Sequence, residues 1–171
     1  ALDPFFHVSE LTSIASVATQ LYTRWTVLLV GDGLSDDELA RAREMLARSS
    51  VPRSKWVLLN LPPGDSESTM HTLTNPYLGW MSGGTAAMNY ALEVIQQLRA
   101  RRPADQLGMS QDEARSLLQG THLVHVDSDD KFTPSHLSLL AEAYSRFDNV
   151  SYAFTQAEFY PKGIYPPTKV L

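Results

Sequence analysis

Three carboxylates fall within four positions at Asp127-Ser128-Asp129-Asp130, directly after the apolar run Leu123-Val124-His125-Val126. Like charges this close raise one another's pKa and repel unless a cation or hydrogen-bond donors neutralise them. An oxygen-only cluster suits a hard divalent ion, and Mg²⁺ or Mn²⁺ typically takes one or two carboxylates together with substrate phosphates. In an open α/β sheet, ligands bind beyond the carboxyl ends of the strands. The run stands there if residues 121–126 form a buried strand, as their apolar, β-branched character predicts. The competing reading is a solvated acidic turn before a helix, with Thr133 as N-cap and Pro134 as first helical residue.

Asp32 is the second candidate. It follows the apolar run Trp25-Thr26-Val27-Leu28-Leu29-Val30 and lies between Gly31 and Gly33. A carboxylate at a strand end can accept hydrogen bonds from a ribose hydroxyl or a base N–H; a turn former between two glycines is the alternative. Gly83-Gly84 precedes a predicted helix, where backbone N–H groups can approach a phosphate, although neither G-x-G-x-x-G nor the P-loop pattern is present. Asn89, one turn into that helix, either reaches a strand end or is an exposed helix residue. His122 and His125 are three apart on the expected strand and so face opposite sides, which argues against a shared metal. No Ser stands in G-x-S-x-G, so a hydrolase elbow has no support.

These residues need a scaffold, and the pattern supplies one. Leu11, Ile14, Ala15, Ala18 and Leu21, with Val8 at the edge, predict a helix over 4–22. Residues 25–30 and 56–61 read as buried strands of a parallel sheet. Ser35-Asp36-Asp37-Glu38 and Ser110-Gln111-Asp112-Glu113 fit the capping box. They open helices ending near Arg48 and, with Ala114, Leu117 and Leu118 buried, near Gln119. Met88, Leu92, Ile95 and Leu98 predict the inward face of a helix over 85–101. Leu137, Leu140, Ala141 and Tyr144 do so for one over 134–147. Residues 65–76 read as a polar loop, 151–160 as a strand, and the Pro-rich tail as irregular. Strands alternating with helices give an α/β sandwich with a mostly parallel sheet.

Composition narrows the function. The 171 residues suit one domain with a sizeable core. A formal charge of −5 argues against a nucleic-acid partner. Without cysteine there are no disulfides or thiolate metal sites. No apolar run approaches the ~18 residues of a membrane helix and no signal-peptide pattern opens the chain, so the expected location is cytoplasmic. The start at Ala1 and the apolar end at Leu171 suggest a piece of a longer protein.

Taken in order, these segments resemble a family 2 glycosyltransferase domain of GT-A fold, a Rossmann-like α/β/α sandwich. Gln20, Tyr22 and Trp25 resemble the family's Q-T-Y-x-x-W phrase. Val30-Gly31-Asp32-Gly33-Leu34-Ser35-Asp36 resembles V-D-D-G-S-x-D, and Gly83-Gly84-Thr85-Ala86-Ala87-Met88-Asn89 resembles G-x-S-x-A-R-N. Val126-Asp127-Ser128-Asp129-Asp130, with Pro134 and Leu137 beyond, is similar to the family's D-x-D metal motif. The resemblance implies a nucleoside-diphosphate-sugar donor held by Asp32, Gly84, Asn89, Asp127 and Ser128. It also implies a Mn²⁺ or Mg²⁺ ion held by Asp127 and Asp129, and inverting transfer to the hydroxyl of a glycan, lipid or small molecule. Gly31 replaces an acidic residue of the family, Met88 an arginine, and an extra helix is inserted near Asp112. The family's first strand and most of its catalytic-base region have no counterpart in this sequence; Glu158 is a candidate base but falls earlier than the family's base usually does, and it is not assigned. Two rival classes stay open: a nucleotide-sugar-binding or scaffold domain without catalysis, and a phosphohydrolase with Asp127 as nucleophile. Lys131 stands where the latter usually has Thr or Val. Oligomeric state is left open.

Overall fold

The computed structural model describes residues 9–61, 85–126, 130–147 and Ala153. Val8, the Leu11 side chain, the 65–76 loop, Trp80, Gly83, Gly84, Asp127, Ser128, Asp129, the strand expected over 151–160, Glu158 and the tail lie outside that description.

Two parallel strands form the centre. Strand β1 (Val27–Asp32) pairs with β2 (Trp56–Leu61) in the register Val27↔Trp56 through Asp32↔Leu61. Helix α2 (Asp36–Arg48) crosses between them, which makes a βαβ unit, the connection that parallel strands require. Alternation along the strands sends side chains to two faces. Leu46 of α2, Val51, Trp56 and Leu58 form one cluster, joined by Val27 and Leu29 and by Ile14 and Ala18 of helix α1 (Ser9–Ala18). On the other face Val57 and Leu59 pack with Val94 and Leu98 of helix α3 (Thr85–Arg99). Ala104, Leu107 and Met109 complete that cluster with Ala114 of helix α4 (Gln111–Leu118). The sheet is therefore covered by helices on both faces, as a parallel sheet must be.

Both expected capping boxes form. Ser35 and Ser110 each accept from the backbone N–H three residues on, while Glu38 and Glu113 reach back to the cap N–H groups. The inserted helix α4 is tied down twice: Arg53 meets Glu113 at 2.7 Å, and the hydroxyls of Thr26 and Ser116 lie 2.8 Å apart.

Other expectations are corrected. Residues 121–126 are not a strand, and Leu123 and Val124 are 62% and 43% exposed. An apolar run becomes a strand only where a neighbour completes its ladder; among the described residues β1 and β2 pair with each other and 121–126 pairs with neither. The buried stripe of α3 passes through Tyr90, Val94 and Leu98, the residues facing Val57 and Leu59, and leaves Met88 and Leu92 exposed. In α4 Ala114 is buried and Leu118 exposed. At the end of α1 the buried residues are Ser13, Ser16, Val17 and Gln20, whereas Ala15 and Leu21 are exposed. Helix α5 (His136–Arg146) begins after Ser135, not after Thr133, and Ser135 makes no side-chain cap.

Candidate functional site

Asp32 closes β1 at the carboxyl end of the parallel pair and is exposed. The turn after it is fixed from the neighbouring strand. Asn60, paired in register with Gly31, accepts the Leu34 N–H at 2.9 Å and donates to the Leu34 carbonyl at 2.6 Å. One side-chain amide thus satisfies both backbone groups of Leu34, as a neighbouring strand would. Gly33 takes φ 69°, the left-handed region where glycine costs least. A Cβ on Gly31 would stand 2.6 Å from Leu34 Cδ1 and 2.9 Å from Asn60 Oδ1. The acidic residue that the resembled family carries at this place has no room while Leu34 and Asn60 sit here. The turn then runs into the Ser35 cap, with Asp36, Asp37 and Glu38 in the first turn of α2, where negative charge complements the helix dipole.

The segment that leaves the acidic run is held by α1 and the residues just after it. Gln20 is 6% exposed. Its amide nitrogen donates to the Thr133 carbonyl at 2.7 Å and to the Ser16 carbonyl at 3.0 Å. Its oxygen accepts the Leu137 N–H at 3.0 Å, one of the amides left open at the start of α5. The Ser16 hydroxyl accepts the Phe132 N–H at 3.1 Å and donates to the Ser13 carbonyl at 2.6 Å. The Leu21 N–H donates to the Pro134 carbonyl at 2.9 Å. His136 stacks on Phe132 with ring centroids 4.0 Å apart, and burial pushes its imidazole below the ordinary histidine value.

Of the residues expected to touch donor or metal, Asp32 and Asn89 are described. Asp32 stands at the strand end as expected; Asn89 is exposed in the second turn of α3. Asp130 is exposed. Among the described residues no three His, Asp or Glu side chains gather into a metal cage; Asp127 and Asp129, the expected ligands, lie outside them. His122 is exposed and rests against Tyr144 of α5 at 4.2 Å, a packing contact. A shallow cavity of about 370 Å³ lined by Arg43, Arg53, Trp56 and Glu113 opens near the amino end of β2, the opposite end from Asp32.

Three residues of this region were missed or given no role in the sequence reading. Asn60 is the lone polar residue of Trp-Val-Leu-Leu-Asn-Leu, and that anomaly was its signal. Gln20 was visible only as part of a motif, and Ser16 as one hydroxyl in a helix, with nothing local to show what either bonds.

No family model and no solved structure matches the chain. A protein of Acanthamoeba polyphaga mimivirus, described as an uncharacterised glycosyltransferase, is 29% identical to it over 159 residues. The alignment covers 92% of this chain and 52% of that protein, so the chain spans about half the length of this curated relative. Over that half, the chain is similar to a glycosyltransferase.

Proposed function

We propose that the chain is the nucleotide-sugar-binding part of a metal-dependent, inverting glycosyltransferase of GT-A fold. The similarity to a glycosyltransferase along 92% of the chain carries this reading. Asp32, exposed at the carboxyl end of a parallel strand, supports it by standing where α/β sheets bind ligands. In this reading Asp32 accepts hydrogen bonds from the nucleoside of the donor. Gly84, Asn89 and Ser128 contact the rest of the nucleoside diphosphate. Asp127 and Asp129 offer oxygen ligands only, the donor set that suits Mn²⁺ or Mg²⁺. A bound divalent ion would supply Lewis-acid stabilisation of the leaving diphosphate. The acceptor oxygen bonds to the anomeric carbon, the bond from that carbon to the diphosphate oxygen breaks, and the hydroxyl proton passes to a carboxylate base. The base is not assigned to a residue of this sequence. Among the described residues no helix is long and apolar enough to cross a membrane, and a cytoplasmic location is part of the proposal.

Calorimetric titration of UDP, GDP and dTDP, each with and without Mn²⁺, tests it. One nucleotide should bind only when the metal is present, and Asp129→Ala should abolish that binding. Unchanged binding by the variant would remove the metal assignment. A second reading, a nucleotide-sugar-binding domain without catalysis, is favoured by one observation: Gly31, where the family has an acid, is packed under Leu34 and Asn60. Donor turnover by the full-length protein decides between the two.

A further inference from the structure

We propose that Asn60 is a positioning residue for Asp32. The inference rests on the reading above, in which Asp32 takes hydrogen bonds from the nucleoside of the donor. It deepens that reading, because Asn60 is not among the residues expected to touch the donor and acts through the turn that carries the carboxylate. The ladder with β2 holds the chain as far as Asp32, the last paired residue of β1. One residue on, Gly33 takes φ 69°. At the next residue the Asn60 amide holds both backbone groups of Leu34, accepting the N–H at 2.9 Å and donating to the carbonyl at 2.6 Å. Ser35 then enters the capping box of α2, with its N–H on Glu38. The chain is therefore fixed at Asp32 and again at Leu34, with a single glycine between.

The composition of the turn gives the reason for such a brace. Each residue brings two soft backbone dihedrals, and glycine brings the widest range of them. Asp32 has a glycine on either side, so the turn's own sequence does little to limit where the carboxylate stands once the ladder ends. A side chain from the neighbouring strand supplies the limit. An amide suits the task because it carries an acceptor and donors together, which match the two groups that Leu34 offers, and it brings no second charge to the turn. Asn60 stands opposite Gly31 in register. The missing side chain at Gly31 leaves room for it: Asn60 Oδ1 lies 2.9 Å from the place of a Gly31 Cβ. A binding group is effective when its neighbours hold it within about 0.5 Å of its productive place, and the bonds to Leu34 do this for the backbone that carries Asp32.

Two variants test it. Asn60→Ala removes both bonds, and Asn60→Leu removes them while keeping the volume, with a side chain that suits the apolar β2. Each is made alone and in an Asp32→Ala background. UDP, GDP and dTDP, each with Mn²⁺, are titrated by calorimetry, with urea unfolding and backbone amide exchange in parallel. Asn60→Ala should weaken binding of the preferred nucleotide about tenfold, the worth of a misplaced hydrogen bond to a charged group, and narrow its preference over the other two. In the Asp32→Ala background the same substitution should weaken binding no further, because the group it positions is gone. Exchange at the Leu34 amide should speed up while exchange from Val57 to Leu59 stays as in the wild type. Equal weakening in both backgrounds would make Asn60 structural only and overturn the proposal. So would wild-type affinity with lowered stability in both Asn60 variants. Wild-type binding by Asp32→Ala overturns it by removing the role of Asp32. If the unaltered chain binds none of the three nucleotides, the functional reading itself fails and the positioning role with it, an outcome seen before any variant is made.

Discussion

At the scale of single residues, the most informative position is one that lacks a side chain. Gly31 is required by its neighbours: an added Cβ meets Leu34 Cδ1 at 2.6 Å and Cγ at 2.8 Å as well as Asn60 Oδ1. Gly31→Ala is expected to destabilise the chain by about 1–3 kcal/mol, the usual cost of overpacking, measured by urea unfolding. The penalty should shrink in a Leu34→Ala background, because the two nearest atoms belong to that side chain; a double-mutant cycle reads the coupling. Equal penalties in the two backgrounds would show that the strain lies elsewhere. The resemblance marks a glycine where that family carries an acid, but gives no reason for it. The reason depends on Asn60, which is distant in sequence and adjacent only through the parallel register.

At the scale of elements, local rules were read well and tertiary ones poorly. The two capping boxes are complete in four residues each, and both form as read. The faces of α1 and α3 were read in part: Ile95 and Leu98 are buried and Ile14 and Ala18 pack on the core as expected, while Met88, Leu92 and Ala15 are exposed, because several apolar stripes are available on each helix and the partner chooses among them. Ser16 in α1 and Gln20 just after it are buried by hydrogen bonds to 132–137, which cannot be foreseen from periodicity. The cap of α4 makes a prediction about pH. Burial pushes the Glu113 carboxyl up, but the Ser110 backbone N–H, the Arg53 guanidinium and the Ser110 hydroxyl outweigh it and leave it below the ordinary value. A carboxylate depressed in the folded state contributes stability above its unfolded value. That contribution is lost as the pH falls below about 4.3 and through the lower folded value. Ser110→Ala is therefore expected to cost about 1 kcal/mol at pH 7 and to flatten the acid limb of stability against pH. Urea titrations at neutral and acidic pH check both; an unchanged acid limb would mean that the residue-110 backbone N–H and Arg53 set the Glu113 carboxyl without the hydroxyl.

At the scale of the whole molecule, burial is distributed unlike the sequence pattern. Buried strands were expected at 25–30, 56–61 and 121–126. In the structure β1 is only half-buried from Val27 to Gly31, 121–126 is mostly exposed, and the best-buried strand is β2. The parallel pair and its two helical layers were legible because α/β alternation and loop lengths allow few other arrangements. The third strand was not, because an apolar run carries no information about which edge completes its ladder. That distribution yields a quantitative contrast. Val94, 1% exposed between Val57 and Leu98, should lose about 2 kcal/mol as Val94→Ala. Leu123, though larger, is 62% exposed, and Leu123→Ala should stay within about 0.5 kcal/mol of the wild type. Urea unfolding of the two variants side by side measures the difference directly. A loss at Leu123 as large as that at Val94 would mean that residues 121–126 are buried in the folded chain in solution.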